Sequence, residues 1–292
     1  MIGDIIRLIR PAQWVKNLFV FLPLFFGGRM LNGDAWAHAG IAFAAFSLMA
    51  SAIYCLNDIR DAETDRQHPE KRRRPVASGA VPVYVAWIVM ILLVAGSECI
   101  CWLALSDADS RVAAVINIYL ILNIAYSLRL KQVAIFDVFI IALGFVLRLL
   151  AGGVACGIPL SPWIVLMTFL LALFLAFAKR RDDVIIRQRD GVVTRKTTHN
   201  YNLEFMNSVL CILASITMVC YMMYTVQPEV TARLGNNYIY ISSILVLAGL
   251  IRYLQLAIVD EKSGDPTKIL LHDKFIQLCC VLWILFFVLI IY

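Results

Sequence analysis

Long apolar segments separated by short charged ones dominate the chain. Most of these segments are long enough for a helix to cross about 30 Å of hydrocarbon, and we predict nine of them. Their predicted bounds are 15–31, 35–56, 83–105, 111–128, 133–155, 161–178, 205–226, 237–258 and 270–292. The pattern therefore predicts an all-α polytopic integral membrane protein with nine transmembrane helices, folded as a single domain over residues 1–292.

The N-terminal segment, residues 1–13, has a different pattern. Isoleucines alternate with charged side chains until Pro11. Such alternation is typical of an amphipathic helix that lies in the membrane interface. We predict an interfacial helix here.

Composition excludes a soluble protein of this length. Of the 292 residues, 61% are hydrophobic and only 16% are charged. The 8 cysteines lie mostly in apolar spans and form no C-x-x-C pair, so we interpret them as buried apolar side chains. The net charge of +6 is modest, and we expect the membrane bilayer and no nucleic acid as a partner.

The distribution of positive charge predicts the orientation. Most of the 26 Lys and Arg residues fall in the N-terminal segment and in every second loop. Loops rich in Lys and Arg stay in the cytoplasm. We therefore expect a multi-pass protein of the cell inner (plasma) membrane, with a cytoplasmic N-terminus and an external C-terminus. The two long loops, 57–82 and 179–204, would be cytoplasmic and catalytic.

The densest charge cluster follows the second span and begins with Asn57, Asp58, Asp61 and Asp65. On a helix, the three aspartates would form one stripe, and they would repel each other unless a cation neutralised them. Oxygen ligands favour Mg²⁺ or Mn²⁺, and the basic run 71–74 could meet substrate phosphates. An ordinary charged loop is the alternative, but the helical spacing favours a metal–diphosphate site.

Two ionisable residues lie inside the fifth span. Asp137 and Arg148 are eleven residues apart, about three helical turns, so we expect them to point the same way. Charged groups in a span usually face a bundle interior or a wet cavity. Function is one interpretation, and a structural ion pair, such as Arg148 with Glu98, is the other.

The spacing N-D-x-x-D-x-x-x-D after the second of nine spans resembles the first signature of the UbiA-type intramembrane prenyltransferase superfamily. Further stretches resemble the branch that transfers phosphoribose to decaprenyl phosphate. These stretches are Arg10-Pro11-Ala12-Gln13-Trp14-Val15-Lys16-Asn17, His68-Pro69-x-Lys71-Arg72-x-Arg74-Pro75, Tyr126-Ser127-Leu128-Arg129-Leu130-Lys131, Asp137 to Gly153, and Ala178-Lys179-Arg180.

The resemblance implies Mg²⁺-dependent transfer of 5-phosphoribose from phosphoribosyl diphosphate to a polyprenyl (decaprenyl) phosphate lipid, for arabinan and cell-wall synthesis. It implies metal ligands, catalytic residues and substrate-binding residues. The metal ligands would be Asn57, Asp58, Asp61 and Asp65. The catalytic residues would be Asp58, Asp61, Asp65, Lys131 and Asp137. The substrate-binding residues would be Lys16, Asn17, Asn57, Arg72, Arg74, Tyr126, Arg148, Lys179 and Arg180.

One departure from the prenyl-diphosphate enzymes is informative. Those enzymes carry a second D-x-x-x-D, whereas Ile186 and Arg187 stand four residues after Asp182 and Asp183. This difference disfavours the first alternative, prenyl transfer from a polyprenyl diphosphate to an aromatic acceptor. The second alternative is a transporter. Chain length of the lipid and assembly as a homo-oligomer stay open.

Overall fold

The computed structural model describes residues 1–67, 71–104, 111–190, 196–262, 264 and 266–291. These residues form α-helices and short 3-10 helices. The α-helices are α1 (Ile2–Ile9), α2 (Leu22–Phe26), α3 (Gly33–Gln67), α4 (Val83–Ala104), α5 (Arg111–Leu128), α6 (Phe136–Ala155), α7 (Pro162–Asp190), α8 (Leu203–Thr225), α9 (Pro228–Leu234), α10 (Ser243–Ile258), α11 (Pro266–His272) and α12 (Lys274–Ile291). The 3-10 helices are Pro11–Phe21, Lys71–Arg73, Leu130–Gln132, Lys196–Asn200 and Ile239–Ser242.

The helices group into two compact units. Unit 1 comprises residues 1–130 and 147–160, and unit 2 comprises residues 131–146 and 161–292. The expectation of a single domain stays a prediction. The predicted loops 57–82 and 179–204 include residues 68–70 and 191–195, which lie outside the described residues, as do Leu105 and Tyr292 at the ends of predicted spans.

Unit 1 is built around the long helix α3. The side chain of Asn32 accepts a hydrogen bond from the backbone N–H of Ala35 (2.9 Å), which satisfies one of the free donors at the start of the helix. The buried face of α3 is rich in alanine, so neighbouring helices can approach closely. Phe46, Ile116 and Leu147 form part of the core there.

The first predicted span, 15–31, is not a continuous α-helix. Residues 11–21 form a 3-10 helix that runs antiparallel to α3. The indole N–H of Trp14 donates a hydrogen bond to the hydroxyl of Ser51 (3.0 Å), and the ring centroids of Phe21 and Phe43 are 5.5 Å apart. A 3-10 helix rises about 2.0 Å per residue, so this short segment covers about 22 Å.

A glycine permits this packing in unit 1. A Cβ atom added at Gly152 of α6 would lie 1.9 Å from the carbonyl oxygen of Val20. No larger residue fits without moving one of the two backbones. The 3-10 segment is therefore held against α6 as well as against α3.

Unit 2 has its own core, in which α7 and α8 are the central pair. Phe174, Phe177 and Leu210 are buried in it. Helix α8 begins at Leu203 because the side chain of Asn202 accepts a hydrogen bond from the backbone N–H of Phe205 (2.7 Å).

The chain is a multi-pass membrane protein. Seven helices in the described residues are long and apolar enough to span a bilayer, and Lys274–Ile290 is a shorter apolar helix. Large apolar side chains on α4, such as Ile91 and Leu92, are exposed, which is typical of lipid-facing surfaces. The predicted count of nine is not confirmed, because residues 15–31 and 270–291 fold as shorter elements.

The N-terminal helix α1 is shorter than the predicted segment 1–13. It ends at Ile9 because Arg10 adopts a left-handed conformation (φ 56°). Leu8 is buried against the core of unit 1, while Ile2 and Ile6 stay exposed. The location of α1 at the membrane interface stays a prediction.

Candidate functional site

The predicted acidic residues all lie on the last three turns of α3. Asp58 and Asp65 are buried, and both accept hydrogen bonds from Nη1 of Arg74, at 3.4 Å and 2.7 Å. Arg74 directly follows the 3-10 helix Lys71–Arg73 and stands at the start of the turn that comes after this helix. The arginine therefore bridges two carboxylates that lie seven residues apart on one helix face.

A second arginine reaches the same carboxylate from the N-terminus. Arg10 pairs with Oδ1 of Asp58, and its guanidinium lies 5.1 Å from the ring centroid of Tyr54. The left-handed backbone at Arg10 turns the chain from α1 into the 3-10 helix, which directs this side chain towards α3. Two guanidinium groups thus neutralise the buried charge of Asp58 and Asp65.

Asn57 is oriented by a neighbouring helix. Its side-chain oxygen accepts a hydrogen bond from the hydroxyl of Ser127 on α5 (2.6 Å). Tyr126, the preceding residue, is half-buried. Two other residues of unit 1 that were predicted to bind substrate, Lys16 and Arg72, have exposed side chains.

The acidic end of α3 fits a hard divalent cation. Oδ2 of Asp58 is buried and has no hydrogen-bond partner among the described residues, so its lone pairs are available to a ligand. Carboxylate and amide oxygens are the ligands that Mg²⁺ prefers. Within the described residues, no three His, Cys, Asp or Glu side chains converge into a metal cluster. We ascribe this to the ion pairs of Arg10 and Arg74, which hold Asp58 and Asp65.

Arg148 lies in the interior of unit 1. Its Nε donates to Oδ1 of Asn17 (2.7 Å), and Asn17 in turn donates to the hydroxyl of Ser47 (2.9 Å). The guanidinium also lies over the adjacent rings of Phe46 and Tyr119, at 4.9 Å and 5.0 Å from their centroids. Arg148 and Asn17 therefore join the N-terminal 3-10 helix, α3 and α6, and a role in substrate binding stays a prediction.

In unit 2, Asp137 forms a buried ion pair with α7. Nε of Arg180 donates to Oδ2 of Asp137 (2.6 Å), and Nη1 of Arg180 donates to Asp183 (3.3 Å). Asp137 therefore contacts α7, whereas Arg148 contacts elements of unit 1. The two halves of α6 belong to different units, and the expectation that Asp137 and Arg148 point the same way stays a prediction.

The start of α6 is fixed by a tyrosine. The backbone N–H of Ile135, which has a positive φ of 71°, donates to the hydroxyl of Tyr201 (2.6 Å). Burial raises the pKa of Tyr201, so the phenol stays protonated at neutral pH. This contact positions Asp137 two residues later. Of the remaining predicted residues, Lys179 is exposed and Lys131 is half-buried.

The family of the chain follows from comparison with known proteins. A model described as the UbiA prenyltransferase family matches residues 20–278. The chain belongs to this family. The chain is also similar to proteins named decaprenyl-phosphate phosphoribosyltransferases. The enzyme of Mycolicibacterium smegmatis is 33% identical over 97% of the chain and 91% of its own length, and that of Corynebacterium glutamicum is 33% identical over 98% and 86%.

Solved structures of UbiA proteins share the fold. A UbiA homologue from Archaeoglobus fulgidus, solved bound to DMAPP and Mg²⁺, gives a TM-score of 0.72 at 21% identity and covers 99% of each chain. The similarity extends over the whole chain. It confirms an all-α UbiA fold for this protein.

Several residues outside the predicted set contact the predicted site residues of this UbiA protein. Arg10, Ser127 and Asp183 contact Asp58, Asn57 and Arg180, respectively, and were not predicted as site residues. Asp183 lies three residues after Arg180, which is a helical contact spacing, so the sequence could have indicated this contact. Arg10 and Ser127 lie 48 and 70 residues from their partners, so no local spacing indicates them.

Proposed function

We propose that this protein transfers 5-phosphoribose from phosphoribosyl diphosphate to a polyprenyl phosphate, of the decaprenyl class, and releases diphosphate. The observation that carries the proposal is the 33% identity to decaprenyl-phosphate phosphoribosyltransferases over nearly the whole chain. The product would be a polyprenyl-phosphoryl-5-phosphoribose that serves cell-wall arabinan synthesis.

The acidic end of α3 is the proposed donor site. A divalent cation, Mg²⁺ by preference, would be held by Asn57, Asp58, Asp61 and Asp65 and would neutralise charge on the diphosphate. Oδ2 of Asp58, which is buried and has no hydrogen-bond partner in the part of the chain that the structure describes, supports this assignment. The hydroxyl of Ser127 lies within hydrogen-bond distance of the side-chain oxygen of Asn57 and of the carbonyl oxygen of Asn123, and it places Asn57 next to α5.

Arg10 and Arg74 would act as ligands for the phosphate oxygens of the donor. In the described conformation their guanidinium groups neutralise Asp58 and Asp65. A guanidinium binds phosphate oxygens through paired N–H donors, so either arginine could turn from a carboxylate to the donor diphosphate. Arg72, Lys16 and Tyr126 are further proposed ligands in unit 1.

The acceptor is a phosphate oxygen that is already anionic at neutral pH, so the reaction requires no general base. Charge develops at C1 of the ribose as the bond to diphosphate loosens, and nearby carboxylates stabilise that charge. In unit 2, Lys131, Asp137, Lys179 and Arg180 are the proposed catalytic and phosphate-binding residues. Because Asp137 and Arg180 are paired and buried, we assign Asp137 the role of positioning Arg180.

We also propose the orientation and the environment of the protein. The basic segments predict a plasma-membrane protein whose N-terminus and acidic α3 end face the cytoplasm, where phosphoribosyl diphosphate would be available. The external C-terminus, the single-domain organisation and assembly as a homo-oligomer belong to the same proposal. Cysteine accessibility on intact cells would test the orientation.

Mass spectrometry of the lipid tests the proposed reaction. Purified protein in detergent is incubated with Mg²⁺, phosphoribosyl diphosphate and decaprenyl phosphate, with EDTA as the control. We expect the lipid mass to increase by one phosphoribosyl unit, and no increase with EDTA. An unchanged lipid in both samples contradicts the proposal.

The same assay separates the alternatives. In a parallel reaction, the protein receives a polyprenyl diphosphate and an aromatic acid. Prenylation of the aromatic acid without reaction of phosphoribosyl diphosphate would indicate a prenyltransferase. Absence of both reactions, together with uptake of a labelled phosphate ester into vesicles, would indicate a transporter.

A further inference from the structure

A polar cavity lies at the other end of unit 1 from the acidic residues of α3. It has a volume of about 380 Å³ and is lined by Arg29, Asn32, Asp34, His38 and Arg111, together with residues 154–157. Asp34 and Asp58 are 24 residues apart on α3, so about 36 Å separates the cavity from the acidic site. That distance is close to the thickness of a bilayer, and the two sites belong to opposite membrane faces.

The positions of the arginines distinguish this cavity from an ordinary charged surface. Arg29, Arg111 and Arg233 are the basic residues that the charge distribution assigns to the external side of the membrane. Two of these three, Arg29 and Arg111, line the same cavity. They come from sequence positions 82 residues apart, so the fold brings them together.

The segment that carries Arg29 is fixed before any ligand binds. Nη1 of Arg29 donates to the carbonyl oxygen of Cys156 (3.4 Å), and the backbone N–H of Arg29 donates to the carbonyl oxygen of Leu24 (3.0 Å). The indole N–H of Trp36 donates to the carbonyl oxygen of Met30 (2.7 Å). The loop is therefore tied to α2, to α3 and to the segment that follows α6.

The lining suits an anionic group attached to an apolar body. Arg29, Arg111 and His38 provide N–H donors from three different elements, while Ala35 and Cys156 are buried apolar residues on one wall. Guanidinium groups bind the oxygens of a phosphate in paired geometry. Among the described residues that line the cavity, Asp34 is the only acidic one.

We propose that this cavity binds a phosphate group, supplied either by the headgroup of a membrane phospholipid or by a soluble phosphate compound. The site is separate from the proposed transferase site. Asp34 opposes ligand binding, so its removal should strengthen binding. Arg29 and Arg111 are the main ligands.

Native mass spectrometry of the full-length protein in detergent tests the proposal. The probes are phosphatidylglycerol, which carries a phosphate, and diacylglycerol, which does not. Because hydrogen bonds to charged groups contribute a tenfold or larger factor in affinity, the double variant Arg29→Gln/Arg111→Gln should retain about tenfold less phosphatidylglycerol. The control variant Arg60→Gln/Arg129→Gln removes two exposed arginines elsewhere and should retain as much as the wild type.

A second variant tests the sign of the electrostatic effect. Asp34→Asn should raise phosphatidylglycerol retention on the order of threefold, because it removes a negative charge that repels the phosphate group of the lipid. A structural defect would lower retention instead. This variant keeps the proposal testable if the double arginine variant does not fold.

Inorganic phosphate distinguishes the two sources of the ligand. The cavity would be assigned to soluble phosphates if millimolar phosphate displaces phosphatidylglycerol. The same assignment would follow if calorimetry detects phosphate binding that is lost only in the arginine variant. Retention of the lipid at the same phosphate concentration would assign it to phospholipid headgroups. Equal retention by the arginine variant and its control, or equal retention of diacylglycerol, would overturn the proposal.

Discussion

Replacement of Arg74 by glutamine should destabilise the acidic end of α3. Arg74 bridges Asp58 and Asp65, whose side chains are 0% and 5% exposed, and it is itself 28% exposed. Loss of one partner from a buried ion pair costs about 3–5 kcal/mol. Arg10 still neutralises Asp58 and solvent reaches Arg74, so we expect Arg74→Gln to lower the free energy of unfolding by about 1–3 kcal/mol.

The assay is chemical or thermal unfolding in detergent at neutral pH, without added metal. Arg73→Gln is the matched control, because Arg73 is the preceding residue, carries the same charge and is exposed. Substitutions at exposed positions usually change stability by less than about 0.5 kcal/mol. Arg74→Gln should therefore lower the free energy of unfolding by clearly more than Arg73→Gln does.

A double-mutant cycle with Asp65→Asn isolates the ion pair. If Arg74 acts through Asp65, then Arg74→Gln should cost less in the Asp65→Asn background than in the wild type. An equal cost in both backgrounds would refute this reasoning. So would a cost for Arg74→Gln no larger than that for Arg73→Gln.

Three further predictions concern the rest of the molecule. Arg180→Gln should lower stability by about 3–5 kcal/mol in unfolding assays, because it leaves a buried carboxylate unpaired. Gly152→Ala should abolish folding in a detergent size-exclusion assay, because its Cβ would meet a backbone oxygen at 1.9 Å, whereas Gly40→Ala, with nothing within 4 Å, should fold. Arg252 holds the pKa of Asp273 below its usual value, so the stabilisation is present at neutral pH and is lost as pH falls through that lowered pKa. Thermal unfolding from pH 7 to pH 3 should therefore show a smaller loss for Asp273→Asn than for the wild type.

The stripe of carboxylates on α3 could be predicted from sequence, because its spacing is a property of one helix. Asp58 and Asp65 share a face, and Arg74 bonds to both. The contact of Arg10 with Asp58 could not be predicted. It depends on a left-handed residue and on a chain segment that returns along α3, neither of which has a local signature.

The first apolar segment shows a limit of hydropathy patterns. Residues 15–31 are apolar enough for a span, but hydropathy does not distinguish an α-helix from a 3-10 helix. The choice depends on tertiary contacts, such as that of Trp14 with Ser51 and the close approach of Gly152 to Val20. Asp137 and Arg148 lie on one helix, yet they contact elements of different units. Spacing along a helix does not indicate which packing partner each half of the helix has.

The most direct test of the central claim measures Mg²⁺-dependent diphosphate release by Asp61→Asn and by Glu63→Gln. Both residues lie on α3, and the two variants remove the same charge. Asp61 belongs to the proposed metal-binding stripe, whereas Glu63 is exposed and lies outside that stripe. Phosphoribosyl diphosphate and decaprenyl phosphate are the substrates, and Mg²⁺ is varied from zero to saturation.

A metal ion contributes several kcal/mol to stabilising charge in such a reaction, so Asp61→Asn should lower the rate by at least about 100-fold. Glu63→Gln should keep a rate within about threefold of the wild type, because exposed substitutions have small effects. Equal rates for Asp61→Asn and Glu63→Gln at limiting Mg²⁺ would contradict the account.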